Sequence, residues 1–404
     1  HRNAPYDNLK PAEIENLLVR AMKQTDRYRG MKKAGYSDAA IRDTFDVKYP
    51  MRVFAYTGSR DTIMSPMDSI RYYKHFLRVG FMSMDPITGY VKAYVGGPDY
   101  THFQYDMAMV GRRQVGSTIK PYLYTLAMEN GFSPCDQTRN VEQTILTEDG
   151  QIWIPRNTGN KDDYGKIVTL RWGLSQSNNW ISAYLMSKLN PYAFKSLIHQ
   201  FGIRNQDIQP TPSLCLGPCD ISVGEMVGAY TAFPNNGIRT EPLFVTRIED
   251  NEGNIIATFT PKTYEVISKE SSYKMIDMMK AVVDEGTGRR LRFRYNLKAE
   301  IAGKTGTTND NADGWFMGYT PSLVSGCWVG GDDRDIHFTS MSDGQGASMA
   351  LPIWALYMKK VYADESLGYS QDEKFNIPKD FNPCAQQTIV TNYTDEQKLD
   401  DFFE

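Results

Sequence analysis

No run of apolar residues in this sequence approaches the ~20 needed to cross a bilayer, and no secretory leader is visible at its start. A basic stripe is also missing. The 45 Lys and Arg stand against 48 Asp and Glu, interspersed along the chain, for a net charge of −3, which argues against nucleic acid as the main partner. Histidine is scarce: His1, His75, His102, His199 and His337 lie far apart. The cysteines, Cys135, Cys215, Cys219, Cys327 and Cys384, are no better clustered. Metal binding needs several such ligands within reach of one another, so neither a metal nor any other cofactor is expected. An odd number of cysteines leaves at least one thiol unpaired, and the scatter is unlike a disulfide framework. Only Cys215 and Cys219 are close enough in sequence to suggest a bridge, and little sensitivity to reductant is expected. The chain opens on His1-Arg2-Asn3 without a Met, so it reads as a piece of a longer protein, with room for a membrane anchor upstream.

Hydrophobic residues make up 41% of the 404, and aromatics 12%, which is ample for a real core. Up to about Tyr49 the pattern is helical and polar, with Ser37 as the cap of a short helix. Residues 1–78 are expected to form a linker or docking segment, 79–383 the main domain, and 384–404 a polar tail. Met51 to Tyr56 looks like a strand, and Ser65-Pro66 starts a helix. Phe81 to Met84 and Tyr90 to Val95, joined by Asp85-Pro86-Ile87-Thr88-Gly89, give a hairpin signal. The middle third is helical, roughly at Ser117–Glu129, Leu170–Gln176, Trp180–Leu189, Val223–Phe233 and Tyr273–Val283. Strands return at Ala299–Gly306, Trp315–Tyr319 and Ser322–Val329. Two early and three late strands with helices between predict an α+β fold with one antiparallel sheet whose halves are far apart in sequence.

Three elements carry chemistry. In Gly116-Ser117-Thr118-Ile119-Lys120-Pro121, serine and lysine three apart share a helix face, so the amine can reach the hydroxyl. Pro121 is tolerated only in a first turn, which starts the helix at or just before Ser117 and puts its Oγ at the positive end of the helix dipole. Lys120 acts as a base only when neutral; at an ordinary pKa of ~10.4 the free base at pH 7 would cost about 4.6 kcal/mol. Burial and a second cation lower that pKa, and Lys304 is the candidate cation. Serine with lysine three on is common, and Ser271-Ser272-Tyr273-Lys274 is a decoy in a plain amphipathic helix. What distinguishes Ser117 is the company behind it. In Ser177-Asn178-Asn179, a hydroxyl can relay a proton and an amide can hold a substrate peptide group, although Ser177 can equally cap the next helix. In Gly303-Lys304-Thr305-Gly306-Thr307, at a strand end, Gly306 removes a side chain where a substrate backbone would approach as an added strand. Lys304 supplies charge for a substrate carboxylate.

The three in this order are the known signature of penicillin-binding proteins and class A β-lactamases. With Met84-Asp85-Pro86, Arg113-Gln114-Val115-Gly116-Ser117, Gly228-Ala229-Tyr230, Asn235-Asn236-Gly237, Gly286-Thr287-Gly288 and Asp313-Gly314-Trp315-Phe316, the chain resembles the transpeptidase domain of a class A penicillin-binding protein from about Phe81 to Trp354. The glycosyltransferase domain of that family is not in this sequence. The resemblance implies the penicillin-binding/β-lactamase-like fold, a central antiparallel sheet flanked by helical layers, and a D,D-transpeptidase that crosslinks peptidoglycan stem peptides at D-Ala-D-Ala and is acylated by β-lactams. It implies Ser117, Lys120, Ser177, Asn179 and Lys304 as catalytic residues, and Thr305, Gly306, Thr307 and Asn309 as substrate-binding ones. Backbone N–H groups of Ser117 and Thr307 would form the oxyanion hole. Other cell-wall synthesis proteins are implied as partners, and the extracytoplasmic, periplasmic face of the bacterial inner membrane as the location, with membrane contact only through an anchor outside this sequence. A β-lactamase also needs a glutamate base with asparagine four residues on, and no glutamate between Ser117 and Lys304 has that neighbour. A D,D-carboxypeptidase or endopeptidase, or a non-catalytic β-lactam sensor or scaffold, are the alternatives.

Overall fold

The computed structural model describes residues 5–385, so all but the first two residues of the expected polar tail lie outside the described residues. The opening segment builds three helices, α1 (Pro11–Gln24), α2 (Asp26–Lys33) and α3 (Asp38–Phe45), the last two capped by the hydroxyls of Thr25 and Ser37. An antiparallel ribbon follows, β1 (Tyr49–Val53) with β2 (Arg60–Met64). Ser65 then caps α4 (Pro66–Tyr73) in a reciprocal box with Asp68. Leu17, Leu18, Met22, Ile41 and Phe45 meet Met67 of α4 in a small apolar cluster, and Ile336, from far along the chain, closes it.

The early and late strands do form one antiparallel sheet. β3 (Arg78–Met84) and β4 (Val91–Val95) make the expected hairpin, where the Asp85 carboxylate accepts from the N–H groups of Ile87 and Thr88, both at 2.8 Å. β5 (Ala302–Thr307), β6 (Asp313–Tyr319) and β7 (Val324–Gly330) make the meander. The order across the sheet is β5-β6-β7-β3-β4, with Val79 opposite Val329 at the junction of the halves. β6 and β7 are buried along their whole length, so helices must cover both faces. The pleat divides the side chains accordingly: Trp315, Met317 and Tyr319 enter one core cluster, and Phe316 enters the other.

The helices of the first cluster are α5 (Lys120–Glu129), α6 (Leu170–Ser175), α7 (Asn179–Lys188), α8 (Pro191–Gln200), α9 (Val223–Tyr230) and α10 (Lys269–Asp284). All but one of the α5 residues are buried, which makes it the central helix of this layer. The second cluster is closed by α11 (Gly346–Ala363), whose Trp354 packs edge-on against Phe316. Neither α8 nor α11 is foreseen from the sequence; α11 contains Pro352 and has no amphipathic stripe to betray it.

The cysteine expectation is overturned. Cys135 and Cys384 form a disulfide, while Cys215, Cys219 and Cys327 are free and buried. Sequence proximity is a poor guide because the fold brings Cα atoms separated by 249 positions to 5.3 Å. The bridge pins the chain beyond α11 to the loop after α5. Losing such a link costs about 2–5 kcal/mol, so reductant or Cys135→Ser should lower the melting temperature by roughly 5 °C or more. Identical melting curves with and without dithiothreitol would show that the bridge contributes nothing.

Candidate active site

Gly116–Ile119 forms a 3-10 turn, and Lys120 begins α5 directly after it. Side chains three apart eclipse in such a turn, so Ser117 and Lys120 are stacked, with Pro121 in the first helical turn as its ring requires. The turn is held from three sides. Gly116 N–H donates to the Gly217 carbonyl at 3.1 Å, the Tyr230 hydroxyl to the Thr118 carbonyl at 2.8 Å, and the Trp315 indole to the Gln114 carbonyl at 2.8 Å. On β5, a Cβ at Gly306 would fall 2.8 Å from Thr118 Cγ2 and 2.9 Å from the Val115 carbonyl. The absent side chain therefore makes room first for the nucleophile's own turn, rather than only for an approaching substrate backbone.

Between α6 and α7, Ser177 adopts φ +55°, a left-handed conformation that costs a non-glycine residue roughly 1–3 kcal/mol. Capping of α7 falls to Asn178, whose Oδ1 accepts from Ile181 N–H at 3.1 Å, and not to Ser177. Ser177 faces two amines instead. Lys120 Nζ donates to the Ser177 carbonyl at 2.6 Å and to Asn179 Oδ1 at 2.7 Å, and lies 3.5 Å from Ser177 Oγ. From the facing strand, Lys304 Nζ donates to Ser177 Oγ at 2.7 Å and to the Thr305 carbonyl at 2.9 Å. The chain thus gathers Lys120, Ser177, Asn179, Lys304 and Thr305 around one hydroxyl, with the Ser117 turn packed on β5. Ser117 is half-buried, and its hydroxyl makes no hydrogen bond among the described residues, because Lys120 is turned onto the second motif. Thr307 Oγ1 accepts from the first N–H of α11 at 3.0 Å, Thr305 shares a 2.6 Å hydrogen bond with Thr287, and Asn309 is exposed just past β5. The decoy Ser271 is different: it is buried within α10, its hydroxyl without a partner among the described residues.

Both amines are fully buried. Burial pulls the Lys120 pKa down to about 7, with the neighbouring Cys215 thiol working in the opposite direction. Lys304 is also driven well below the ordinary lysine range, by burial first and then by the charge of Lys120. Two amines sharing one hydroxyl cannot both hold a proton cheaply near neutrality. The sequence reading makes Lys304 a cation that lowers the Lys120 pKa; in the structure burial is the first cause of the shift for both amines.

Two features escape sequence reasoning. The loop before α6 folds over the second motif: Asn179 Nδ2 donates to the Arg156 carbonyl at 2.7 Å, and Asn179 N–H donates to Asn157 Oδ1 at 3.2 Å. The amide expected to bind substrate is therefore already engaged at both ends. The other feature is a buried ion pair. Arg113 Nε donates to Asp313 Oδ1 at 2.7 Å, and Asp313 also accepts from the Trp328 indole at 2.9 Å and from Thr308 Oγ1 at 3.1 Å. It ties the residues before Ser117 to the strand after Thr307. Asp313→Ala would leave Arg113 buried and uncompensated, at a cost of about 3–5 kcal/mol in urea unfolding. A loss below about 1 kcal/mol, the range of surface pairs, would show that the pair is not structural.

Residues 79–326 match the family described as "Penicillin binding protein transpeptidase domain", and residues 1–77 match "Penicillin-binding protein middle domain". The chain is 35% identical over 311 residues to penicillin-binding protein 1A of Aquifex aeolicus, covering 76% of this chain and 41% of that one. The fold is similar to that of penicillin-binding protein 1A from Haemophilus influenzae, with a TM-score of 0.68 and 25% identity, over 75% of this chain and 49% of that one. It is similar also to the penicillin-binding protein PonA1 from Mycobacterium tuberculosis, with a TM-score of 0.63 and 26% identity, over 77% of this chain and 82% of that one. The chain spans less than half the length of the curated relatives it matches.

Proposed function

The chain belongs to the penicillin-binding proteins by its transpeptidase domain, and from that premise we propose that it is a serine D,D-transpeptidase. The observation that carries this reading is the Ser177 hydroxyl held between two buried, pKa-lowered amines beside the Ser117 turn. Neutral Lys120 takes the Ser117 proton as Oγ attacks the carbonyl of the penultimate D-alanine. The backbone N–H groups of Ser117 and Thr307 receive the oxyanion. Collapse breaks the peptide bond, and the terminal D-alanine leaves with a proton passed back from the lysine pair through Ser177. An amine of a neighbouring stem peptide then displaces Ser117 from the acyl group. Thr305, Gly306, Thr307 and Asn309 line the strand along which the peptide lies, and Asn179 orients Lys120. β-Lactams acylate the same serine, and without a deacylating glutamate that adduct persists. Other cell-wall synthesis proteins are the proposed partners, at the extracytoplasmic face of the inner membrane. Incubation with defined pentapeptide stem peptides should give crosslinked dimers by mass spectrometry. D-Alanine release without dimers would make the protein a carboxypeptidase, and failure to label with a fluorescent penicillin would make it a scaffold.

A further inference from the structure

Away from the acyl-transfer residues, Arg239 presents an unanswered charge. Its side chain is only 10% exposed, yet among the described residues it makes no hydrogen bond, and its Nε is buried without a partner. Its neighbours are packing partners rather than acceptors. Cζ lies 4.2 Å from the centre of the Tyr264 ring. Gly202, at φ +88°, packs so closely that a Cβ there would come within 2.5 Å of Nη1 and 3.0 Å of Nε. This packing restrains the group without supplying it an acceptor. The nearest carboxylate oxygen, Glu241 Oε1, is 3.7 Å from Nη2, beyond hydrogen-bonding distance. That carboxylate is shared with Arg204, whose Nη2 is 3.8 Å away. Two guanidiniums therefore face one carboxylate, and neither is satisfied by it.

All three side chains line a cavity of about 440 Å³, together with His199 and Gln206. An adjoining cavity of about 210 Å³ shares Arg239, Arg204 and Glu241 and adds Arg112, which is paired with Glu225 at 2.9 Å, so the excess over both cavities stays at one positive charge. Buried charges in proteins are ordinarily paired and hydrogen-bonded. A restrained guanidinium without an acceptor, with excess positive charge and adjacent space, is what a bidentate oxyanion completes. We propose that this cavity binds an oxyanion, a phosphate or carboxylate group taken between Arg239 and Arg204, at a site distinct from that of Ser117.

Calorimetric titration and thermal unfolding with inorganic phosphate and with citrate, each against chloride at matched ionic strength, test this. At least one of the two anions should bind and raise the melting temperature of the wild-type protein above its chloride value. Phosphate alone doing so assigns a phosphate group, and citrate alone a carboxylate. Arg239→Lys keeps the charge but loses the planar fork and should weaken binding by roughly tenfold. Arg204→Ala, at a side chain 76% exposed and so harmless to folding, should weaken it severalfold. Both variants should label with fluorescent penicillin like wild type. No anion effect beyond chloride in the wild-type protein overturns the proposal, and so does unchanged binding in both variants.

Discussion

Ser117→Ala will abolish covalent labelling by a fluorescent penicillin, while Ser271→Ala will leave it intact. Both serines have a lysine three residues on, so the pair isolates what the fold adds. Ser117 is half-buried on a turn packed against the strand that delivers Lys304, and Lys120 below it has its pKa drawn down to about 7. Ser271 is sealed inside α10, its hydroxyl buried and without a partner among the described residues. Removing the nucleophile of a serine acyl-enzyme costs on the order of 10⁶ in rate, far below detection on a gel. A melting curve unchanged from wild type excludes misfolding as the cause. Labelling that persists in folded Ser117→Ala would end the assignment.

The second large effect separates the two amines. Positioned base catalysis is worth about 10²–10⁴, so Lys120→Ala should lose that much acylation, and Lys120→Arg nearly as much, because a guanidinium cannot become neutral in this range. In the wild-type protein the acylation rate should climb as pH passes about 7 and Lys120 loses its proton. Lys304→Ala opens the packing around Lys120, and the burial that holds the Lys120 pKa down is relieved, so the rising limb should move to higher pH. From the sequence alone, Lys304→Arg, with charge retained but shape changed, is expected to keep measurable acylation. Lys304 is fully buried, with its Nζ hydrogen-bonded to Ser177 Oγ and the Thr305 carbonyl, so the bulkier, obligatorily charged guanidinium should instead lose most of the acylation. Stopped-flow acylation from pH 6 to 10 on these variants decides it. Near-wild-type rates for Lys120→Arg would mean that another group is the base, and an unshifted limb in Lys304→Ala would uncouple the two lysines.

Local chemistry was the most legible part of the sequence. Pro121 placed a helix start beside Ser117, where a 3-10 turn runs directly into α5, Ser37 and Ser65 marked caps, and Trp315–Tyr319 read as a strand; each depends only on neighbours in the chain. That the two early and three late strands share one antiparallel sheet was legible in their pattern, but which of them meet, β3 with β7, was not. What stayed hidden depends on closure in three dimensions. The Cys135–Cys384 bridge and the Arg113–Asp313 pair join positions whose proximity no spacing rule records. α11 is apolar on nearly every side, so it carries no stripe to distinguish it from a buried strand. The burial of Lys304 also follows from what packs over β5, not from its neighbours in the motif.

The junction between β3 and β7 has a consequence for how the protein is made. Ribosomes deliver the chain from its N-terminus, and domains containing long-range pairings wait for their last strand. β3 is synthesised early, yet its partner β7 emerges only after Ser117, Lys120, Ser177 and Lys304 have all been polymerised. Until then β3 and β4 are a bare hairpin with one flank of unpaired peptide groups, the kind of edge on which chains aggregate. A nascent chain halted before Val324 would carry every reactive side chain of the site and still be no enzyme.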